Sequence, residues 1–128
     1  MKINNLKVDN FRLFDDMKLQ LNGKNTVIFG VNGTGKTSIL KSINLLYANI
    51  INQIVNRKEL KQNLNIELDD IKYGKTQTKL EADFFIENQL ISYNRTMIRK
   101  SGKRSQDLES LKILASIFQD KYMSDEKQ

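Results

Sequence analysis

The sequence contains no cysteine, no histidine and no proline. Without cysteine, the chain has neither a disulfide framework nor a thiolate zinc site. Without histidine, it lacks the usual general base near neutral pH and the commonest protein ligand for metals. Any bound metal must therefore be held through oxygen atoms, as Mg²⁺ is. Without proline, no rigid linker divides the chain.

The sequence also lacks a long hydrophobic run. No apolar segment approaches the roughly 20 residues that a membrane-spanning helix needs, and the first residues lack the apolar region of a signal peptide. The length of 128 residues and the hydrophobic content of 39% fit one domain with a core. The net charge of +6 favours polyanionic partners only weakly, because such charge also serves solubility. We therefore expect a cytoplasmic protein without a membrane association.

The most informative segment is the phosphate loop, residues 30–37, whose sequence GVNGTGKT fits the pattern G-x-x-x-x-G-K-[ST] at every specified position. Residues 26–29 before it are typical of a buried strand, and Ser38 after it begins a helical pattern. In such a unit the glycines let backbone N–H groups turn towards a polyphosphate, at the positive end of the helix. Lys36 adds a positive charge for the β- and γ-phosphates, and the Thr37 hydroxyl can bind Mg²⁺. The pattern does not choose between ATP and GTP.

Two strands and a helix are predicted around this loop. Residues 3–10 and residues 17–21 carry β-favouring residues, with a clear period of two in the second segment, and a turn or bulge is expected between them. Apolar residues at spacings of three and four predict a helix from Lys36 to about Arg57, with its apolar stripe in the core. Residues 58–74 are predicted to form a loop or a short helix.

A hairpin and a second helix are predicted in the remaining chain. Apolar residues alternate over residues 80–86 and predict a strand with one buried face. Residues 90–100 are its expected antiparallel partner, with a register that the pattern leaves open, and the turn is expected at residues 88–89. Apolar spacing over residues 108–118 predicts the helix, with Asp107 near its positive end.

The position of the phosphate loop in the chain reduces the number of protein families that the motif could indicate. Small nucleotide kinases and small GTPases normally place this loop on the first strand, whereas here residues 1–29 precede it and form two predicted strands. That order resembles the ABC-class ATPases, whose nucleotide domain begins with an antiparallel β-layer. The sequence LKVDNFRLF at residues 6–14 is similar to the RecF/SMC/OLD branch, which opens with a strand and an N-F-R-x-F corner. That branch continues with a second strand and an N-G-x-G-K-[ST]-[ST] loop, and residues 19–21 and 26–43 match this continuation.

The resemblance implies an α/β fold that is α+β in part. It is the N-terminal lobe of an ABC-class, AAA-type P-loop ATPase, with an antiparallel β-layer followed by a strand, the phosphate loop and a helix. On this basis residues 1–128 are expected to form a single domain, the ATP-binding lobe of an incomplete ATPase. The implied roles are DNA repair, chromosome maintenance or anti-phage defence, often beside a nuclease. The complete protein is expected to be a homodimer.

The resemblance also implies which residues contact ATP and Mg²⁺. In the family, the arginine of the N-F-R corner contacts the nucleotide, which makes Arg12 a candidate for a phosphate or base contact. The alternative is a surface arginine that only closes the corner. Asn32 matches the asparagine near the γ-phosphate, and Thr37 matches the Mg²⁺ ligand. The implied nucleotide-binding set is Arg12, Asn32, Gly33, Thr34, Gly35, Lys36, Thr37 and Ser38, with Lys36 as the catalytic residue.

The motifs that hydrolysis requires are not evident. A Walker B strand consists of apolar residues that end in Asp and usually Glu, which bind Mg²⁺ and activate water. The nearest candidate, IELDD at residues 66–70, is interrupted by Glu67 and follows the phosphate loop too closely, so a solvated acidic turn is favoured. A serine-glycine-glycine signature motif does not occur. We expect nucleotide binding without turnover here and ATP hydrolysis only in the complete protein; the alternative is a non-catalytic nucleotide-binding assembly module.

A basic cluster is predicted near the end of the hairpin. The ATPases that this chain resembles can meet DNA with the upper face of their nucleotide domains, so DNA is a candidate partner of the cluster. The alternative is a solvated basic edge that discourages strand pairing. The members of the cluster are Arg95, Arg99, Lys100, Lys103 and Arg104.

Overall fold

The computed structural model describes residues 2–21, 33–55 and 65–120. The predicted strand at residues 26–29 and the first part of the phosphate loop, with Asn32, lie outside the described residues, as do residues 58–64 of the predicted loop. The described elements are an α+β arrangement of one antiparallel sheet and two helices. In chain order they are β1 (Lys2–Phe11), β2 (Phe14–Gln20), α1 (Gly33–Val55), a short 3₁₀ helix (Leu68–Asp70), β3 (Gln77–Ile86), β4 (Gln89–Ile98), β5 (Arg104–Gln106) and α2 (Leu108–Phe118).

The five strands form one sheet in the order β2-β1-β3-β4-β5, and every neighbouring pair is antiparallel. The predicted hairpin is confirmed, with Gln77 opposite Ile98 at one end and Ile86 opposite Gln89 at the other. Its turn lies one residue earlier than predicted, at Glu87 and Asn88, which have φ values of 51° and 61°. Two consecutive residues with positive φ form a two-residue turn whose twist matches that of the flanking strands. Glu87 and Asn88 therefore make up the whole turn, and Gln89 is the first residue of β4.

One face of the sheet is buried, and both helices pack against it. The alternation predicted over residues 80–86 is confirmed, because Leu80, Ala82, Phe84 and Ile86 are all buried. Burial of each large aliphatic side chain contributes about 1.5–3 kcal/mol to stability. On β4 the buried residues are Tyr93, Arg95 and Met97, which resolves the register that the sequence left open. The other buried members of the core include Leu6, Val8, Ile39, Leu45, Leu46, Ile50, Leu111 and Leu114.

The two predicted helices are confirmed with small shifts at their ends. Helix α1 runs from Gly33 to Val55, three residues earlier at its start than predicted. Helix α2 begins after Asp107, whose side chain caps it by accepting a hydrogen bond from the backbone N–H of Ser110 over 3.1 Å. Such a cap satisfies one of the N–H groups that have no partner within the helix. In the described ranges, neither helix combines the length and the apolar character that crossing a membrane requires.

Candidate nucleotide-binding site

The start of α1 carries the described part of the phosphate loop. Helix α1 begins at Gly33 and has no acidic residue in its first turn. Lys36 and Thr37 are exposed, whereas the side chain of Ser38 is buried with a residue exposure of 1%. The free N–H groups of a helix start carry a partial positive charge, and the ammonium group of Lys36 adds to it. This end of α1 is therefore suited chemically to an anion such as a phosphate.

Helix α1 is fixed to the sheet behind this positive end. Ile39 and Leu46 are fully buried in the core. The ring of Tyr47 packs edge-on against Phe84 of β3, with ring centres 5.3 Å apart and planes at 79°. The packing holds the exposed Lys36 and Thr37 at a defined place beside the sheet, because one face of the same helix is anchored.

Arg12 lies in the corner between β1 and β2 and is bound to a distant segment. Its backbone N–H donates to the carbonyl oxygen of Asp70 over 2.7 Å, and its Nε donates to Asp70 Oδ1 over 3.0 Å. The neighbouring Lys72 N–H donates to the carbonyl oxygen of Asn10 over 2.8 Å. Asn10 and Arg12 have φ values of 52° and 54°. Such left-handed conformations cost energy in residues with a side chain, so these contacts hold a strained corner.

Asp70 is buried and belongs to this corner. The expectation that residues 66–70 form a solvated acidic turn is therefore wrong for Asp70. Its residue exposure is 4%, whereas Glu67 and Asp69 are exposed. Asp70 Oδ2 accepts the backbone N–H of Glu67 over 2.9 Å while Oδ1 is bound by Arg12. The segment ends in a 3₁₀ helix rather than a strand. Both carboxylate oxygens thus have structural partners, which argues against a Walker B role for Asp70.

A cleft opens beside the corner, and we call it the Arg12 cleft. Its volume is about 370 Å³. The guanidinium carbon of Arg12 lies 5.6 Å from the centre of the Phe11 ring. Tyr73 is 97% exposed and Leu13 is 65% exposed at the rim of the cleft. Sequence reasoning missed this cleft, because its walls come from segments that are far apart in the chain. It is lined by Arg12, Leu13, Leu68, Asp69, Ile71, Tyr73 and Arg99.

Arg95 does not belong to an exposed basic cluster, so that part of the prediction is wrong. Its residue exposure is 4%, and it points into the core from β4. Its Nη1 donates to the carbonyl oxygen of Leu45 over 2.6 Å. Burial lowers the pKa of its guanidinium. The alternation of apolar and polar residues does not show on which face of the strand such an arginine lies. A charged residue is normally expected on the exposed face, so Arg95 makes the buried face of β4 look polar in the sequence.

The other two arginines of the basic cluster, Arg99 and Arg104, bind main-chain carbonyl groups. Arg99 donates from Nε to the carbonyl oxygen of Lys75 over 2.9 Å and from Nη2 to that of Ile71 over 3.2 Å. Arg104 donates from Nε to the carbonyl oxygen of Ile66 over 2.8 Å. These two arginines thus hold main-chain segments, Arg99 at residues 71–75 and Arg104 at residue 66.

Lys100 and Lys103 are exposed. Within the part of the chain that the structure describes, their ammonium groups have no ion-pair partner. Lys100 and Lys103 are therefore available to an external anion.

The residues present fit Mg²⁺ bound together with a nucleotide. The described ranges contain no group of three or more acidic side chains that could hold a metal ion by themselves. Mg²⁺ commonly uses one or two protein oxygens together with substrate phosphates and water. The exposed position of Thr37 in the first turns of α1 fits this coordination.

The comparisons of this chain with known proteins agree on one family. A family model described as an AAA ATPase domain matches residues 1–128. The chain is 31% identical over 104 residues to the DNA replication and repair protein RecF of Bacillus subtilis (strain 168). This alignment covers 81% of this chain and 25% of RecF. It is 32% identical over 113 residues to RecF of Clostridium botulinum (strain ATCC 19397 / Type A). This alignment covers 88% of this chain and 28% of that RecF protein. The chain thus spans about a quarter of the length of these relatives.

Two solved structures share the fold. One comes from work on ATP-driven dimerization and DNA-stimulated activation of SMC ATPases; it has a TM-score of 0.62, 18% identity, and coverage of 95% of this chain and 84% of that one. The other is the recombination mediator protein RecF-ATPrS in the RecFOR pathway, with a TM-score of 0.55, 15% identity, and coverage of 82% and 26%. These likenesses confirm the antiparallel β-layer and the helix that follows it.

Proposed function

Because this chain belongs to the AAA ATPase domain family, as an N-terminal portion of the RecF/SMC type, we propose that it binds ATP with Mg²⁺ and is the ATP-binding lobe of an ATPase that acts on DNA. The observation that carries the proposal is the phosphate-loop sequence at the start of α1, with Lys36 and Thr37 exposed and no acidic residue in the first turn. DNA repair and chromosome maintenance are the favoured roles, and an anti-phage role is the remaining candidate.

In this proposal the start of α1 binds the phosphate tail. Backbone N–H groups of Gly33, Thr34, Gly35 and the residues after them donate to phosphate oxygens. Asn32 approaches the γ-phosphate, Lys36 neutralises charge on the β- and γ-phosphates, and Thr37 binds Mg²⁺ through its hydroxyl. ATP supplies the phosphoryl group when it is bound. The helix and the lysine orient that group and reduce its negative charge.

Arg12 serves both the corner and the nucleotide in this proposal. Its Nε is bound to Asp70, and its side chain is 31% exposed. Within the described residues, neither Nη1 nor Nη2 of Arg12 has a hydrogen-bond partner. A guanidinium that is held at Nε but open at both terminal nitrogens can bind a phosphate in a fixed orientation, or stack beside a base. This arrangement supports the proposed contact, and it also explains why the arginine closes the corner.

We place ATP hydrolysis in the complete protein. The described residues hold no strand that ends in a free acidic pair, and both oxygens of Asp70 have structural partners. The proposed complete protein is a homodimer that closes on ATP, contacts DNA in part through Lys100 and Lys103, and acts beside a nuclease partner. The second candidate is an assembly module that binds nucleotide without hydrolysis.

Calorimetric titration of the 128-residue chain with Mg-ATP tests the binding proposal. We expect saturable binding that is lost in Lys36→Ala and retained in Lys41→Ala, which removes an equal charge five residues further along α1. At a ligand concentration about 100 times the dissociation constant, bound ATP should stabilise the chain by roughly 2.7 kcal/mol in a thermal unfolding assay. Equal binding by the Lys36→Ala protein would contradict the proposal. ATP hydrolysis by the complete protein, if present and lost in Lys36→Ala, separates the ATPase from the assembly module.

A further inference from the structure

A second cleft lies on another part of the sheet. It has a volume of about 260 Å³ and is lined mainly by polar side chains of α1, β4, β5 and the segment before the 3₁₀ helix. Asn49, on its wall, comes 16 positions after Gly33 in α1, which corresponds to about 24 Å along the helix axis. The cleft is therefore separate from the phosphate loop. We call it the Arg95–Arg104 cleft; its polar lining includes Asn49, Asn65, Arg95, Arg104, Ser105 and Gln106.

Two guanidinium groups of like charge share this cleft. Arg95 is buried, and its Nη2 reaches Asn65 Oδ1 over 3.5 Å. Burial lowers the pKa of the Arg95 guanidinium; Tyr93 opposes this effect, and the positive charge of Arg104 adds a smaller lowering. Among the described residues, the exposed Glu67 lies 3.6 Å from Arg104 Nη2 and is not one of the residues that line the cleft. Two like charges that lie close together repel each other, and an anion bound between them reduces that repulsion.

Gln106 gives the cleft a further oriented donor. Its Oε1 accepts a hydrogen bond from Asn49 Nδ2 over 2.9 Å and another from the Tyr93 hydroxyl. Because both bonds use the oxygen, the amide nitrogen Nε2 remains as the donor of this side chain. Within the described residues, Nε2 of Gln106 has no hydrogen-bond partner. The Asn49–Tyr93–Gln106 network thus fixes an unused donor on the wall of a cationic cleft.

We propose that the Arg95–Arg104 cleft binds a phosphate group, either as free inorganic phosphate or as a backbone phosphate of a nucleic acid. The polar side chains that line the cleft come from α1, β4, β5 and the segment at Asn65, and the donors of Arg104 and Gln106 on β5 are those proposed to contact the ligand. Donors on several sides suit a tetrahedral anion with several acceptor oxygens better than a planar carboxylate. Among the described residues that line the cleft, none carries a carboxylate that would repel the ligand.

Titration of the ¹⁵N-labelled 128-residue chain with inorganic phosphate, at constant ionic strength, tests this site. The protein carries Lys36→Ala, so that the phosphate loop does not contribute. We expect saturable shifts of the NMR signals of the Gln106 side-chain amide and of Arg104 Nε–H. Arg104→Gln should weaken the affinity about tenfold, because a charge-assisted hydrogen bond is lost. Lys112→Gln, a change of equal charge at an exposed position of α2 outside the cleft, should weaken it less than about twofold.

The absence of saturable shifts in the Lys36→Ala protein would overturn the proposal, and so would equal weakening by Arg104→Gln and Lys112→Gln. If Arg104→Gln does not fold because its bond to Ile66 is lost, Arg104→Lys keeps the charge and should still weaken binding by a factor of about three. A single-stranded oligonucleotide without terminal phosphates identifies the source of the ligand. Displacement of bound phosphate assigns the site to a nucleic-acid backbone, and retention assigns it to the free anion.

Discussion

The guanidinium of Arg95 on β4 donates a 2.6 Å hydrogen bond to the carbonyl oxygen of Leu45 in the middle of α1. The bond connects the sheet to the helix that carries Lys36, and it is buried. A residue that the sequence placed in a DNA-binding cluster is therefore a packing contact of the proposed nucleotide-binding helix.

We expect Arg95→Ala to lower the free energy of unfolding by about 2–4 kcal/mol, because it empties a buried site and removes a charged hydrogen bond. Lys103→Ala, at an exposed position, should change it by less than about 0.5 kcal/mol. Urea denaturation measures both. Unchanged stability in Arg95→Ala together with weaker DNA binding would contradict the packing role.

We expect Asp70→Ala to lower the free energy of unfolding by about 1–3 kcal/mol, since it removes the partner of Arg12 and of the Glu67 N–H. It should also weaken Mg-ATP binding several-fold, because Arg12 loses the bond that orients it. Asp69→Ala, at the exposed neighbouring position, is the control and should change neither quantity. If Asp70 were instead a hydrolytic carboxylate, its variant would keep its stability and its ATP affinity, and the complete protein would lose only turnover.

Stability should depend on pH through Asp107. The backbone N–H of Ser110 lowers the pKa of the Asp107 carboxyl below its ordinary value, and the Ser110 hydroxyl adds to this effect. A carboxyl with a lowered pKa in the folded state stabilises the fold above its unfolded pKa of about 3.9, and the effect is lost as the pH falls through the folded value. Asp107→Asn keeps an acceptor but does not titrate, so the stability of the wild type relative to this variant should fall below about pH 4. Thermal unfolding across pH measures it, and a difference independent of pH would contradict this role.

DNA binding, if present, should show a weak salt dependence from the exposed lysines. If Lys100 and Lys103 each neutralise one phosphate, the double variant Lys100→Gln/Lys103→Gln should reduce the slope of log affinity against log salt by about 1.8 on duplex DNA. The double variant Lys18→Gln/Lys112→Gln, at exposed positions on β2 and α2, is the matched control. Fluorescence anisotropy at several salt concentrations measures the slopes, and equal slopes in the two double variants would exclude this contact.

The strands and helices could be predicted where the local pattern was clear. The alternation over residues 80–86 placed a strand with one buried face, and the spacing after Lys36 placed α1 to within three residues of its start. The turn was placed one residue late, because nothing in the pattern specifies positive φ at Glu87 and Asn88. The register of β4 stayed open until the structure placed Arg95 inside the core.

The sequence alone determined the phosphate-binding pattern, since a glycine-rich loop and the helix after it are local features that neighbouring residues specify. Tertiary structure decided the rest of the site. Arg12 and Asp70 are 58 positions apart, and Arg95 and Leu45 are 50 apart, so neither pair follows from spacing. Such contacts depend on which strands pair and which helix covers them, and the free energy of the whole core selects that arrangement.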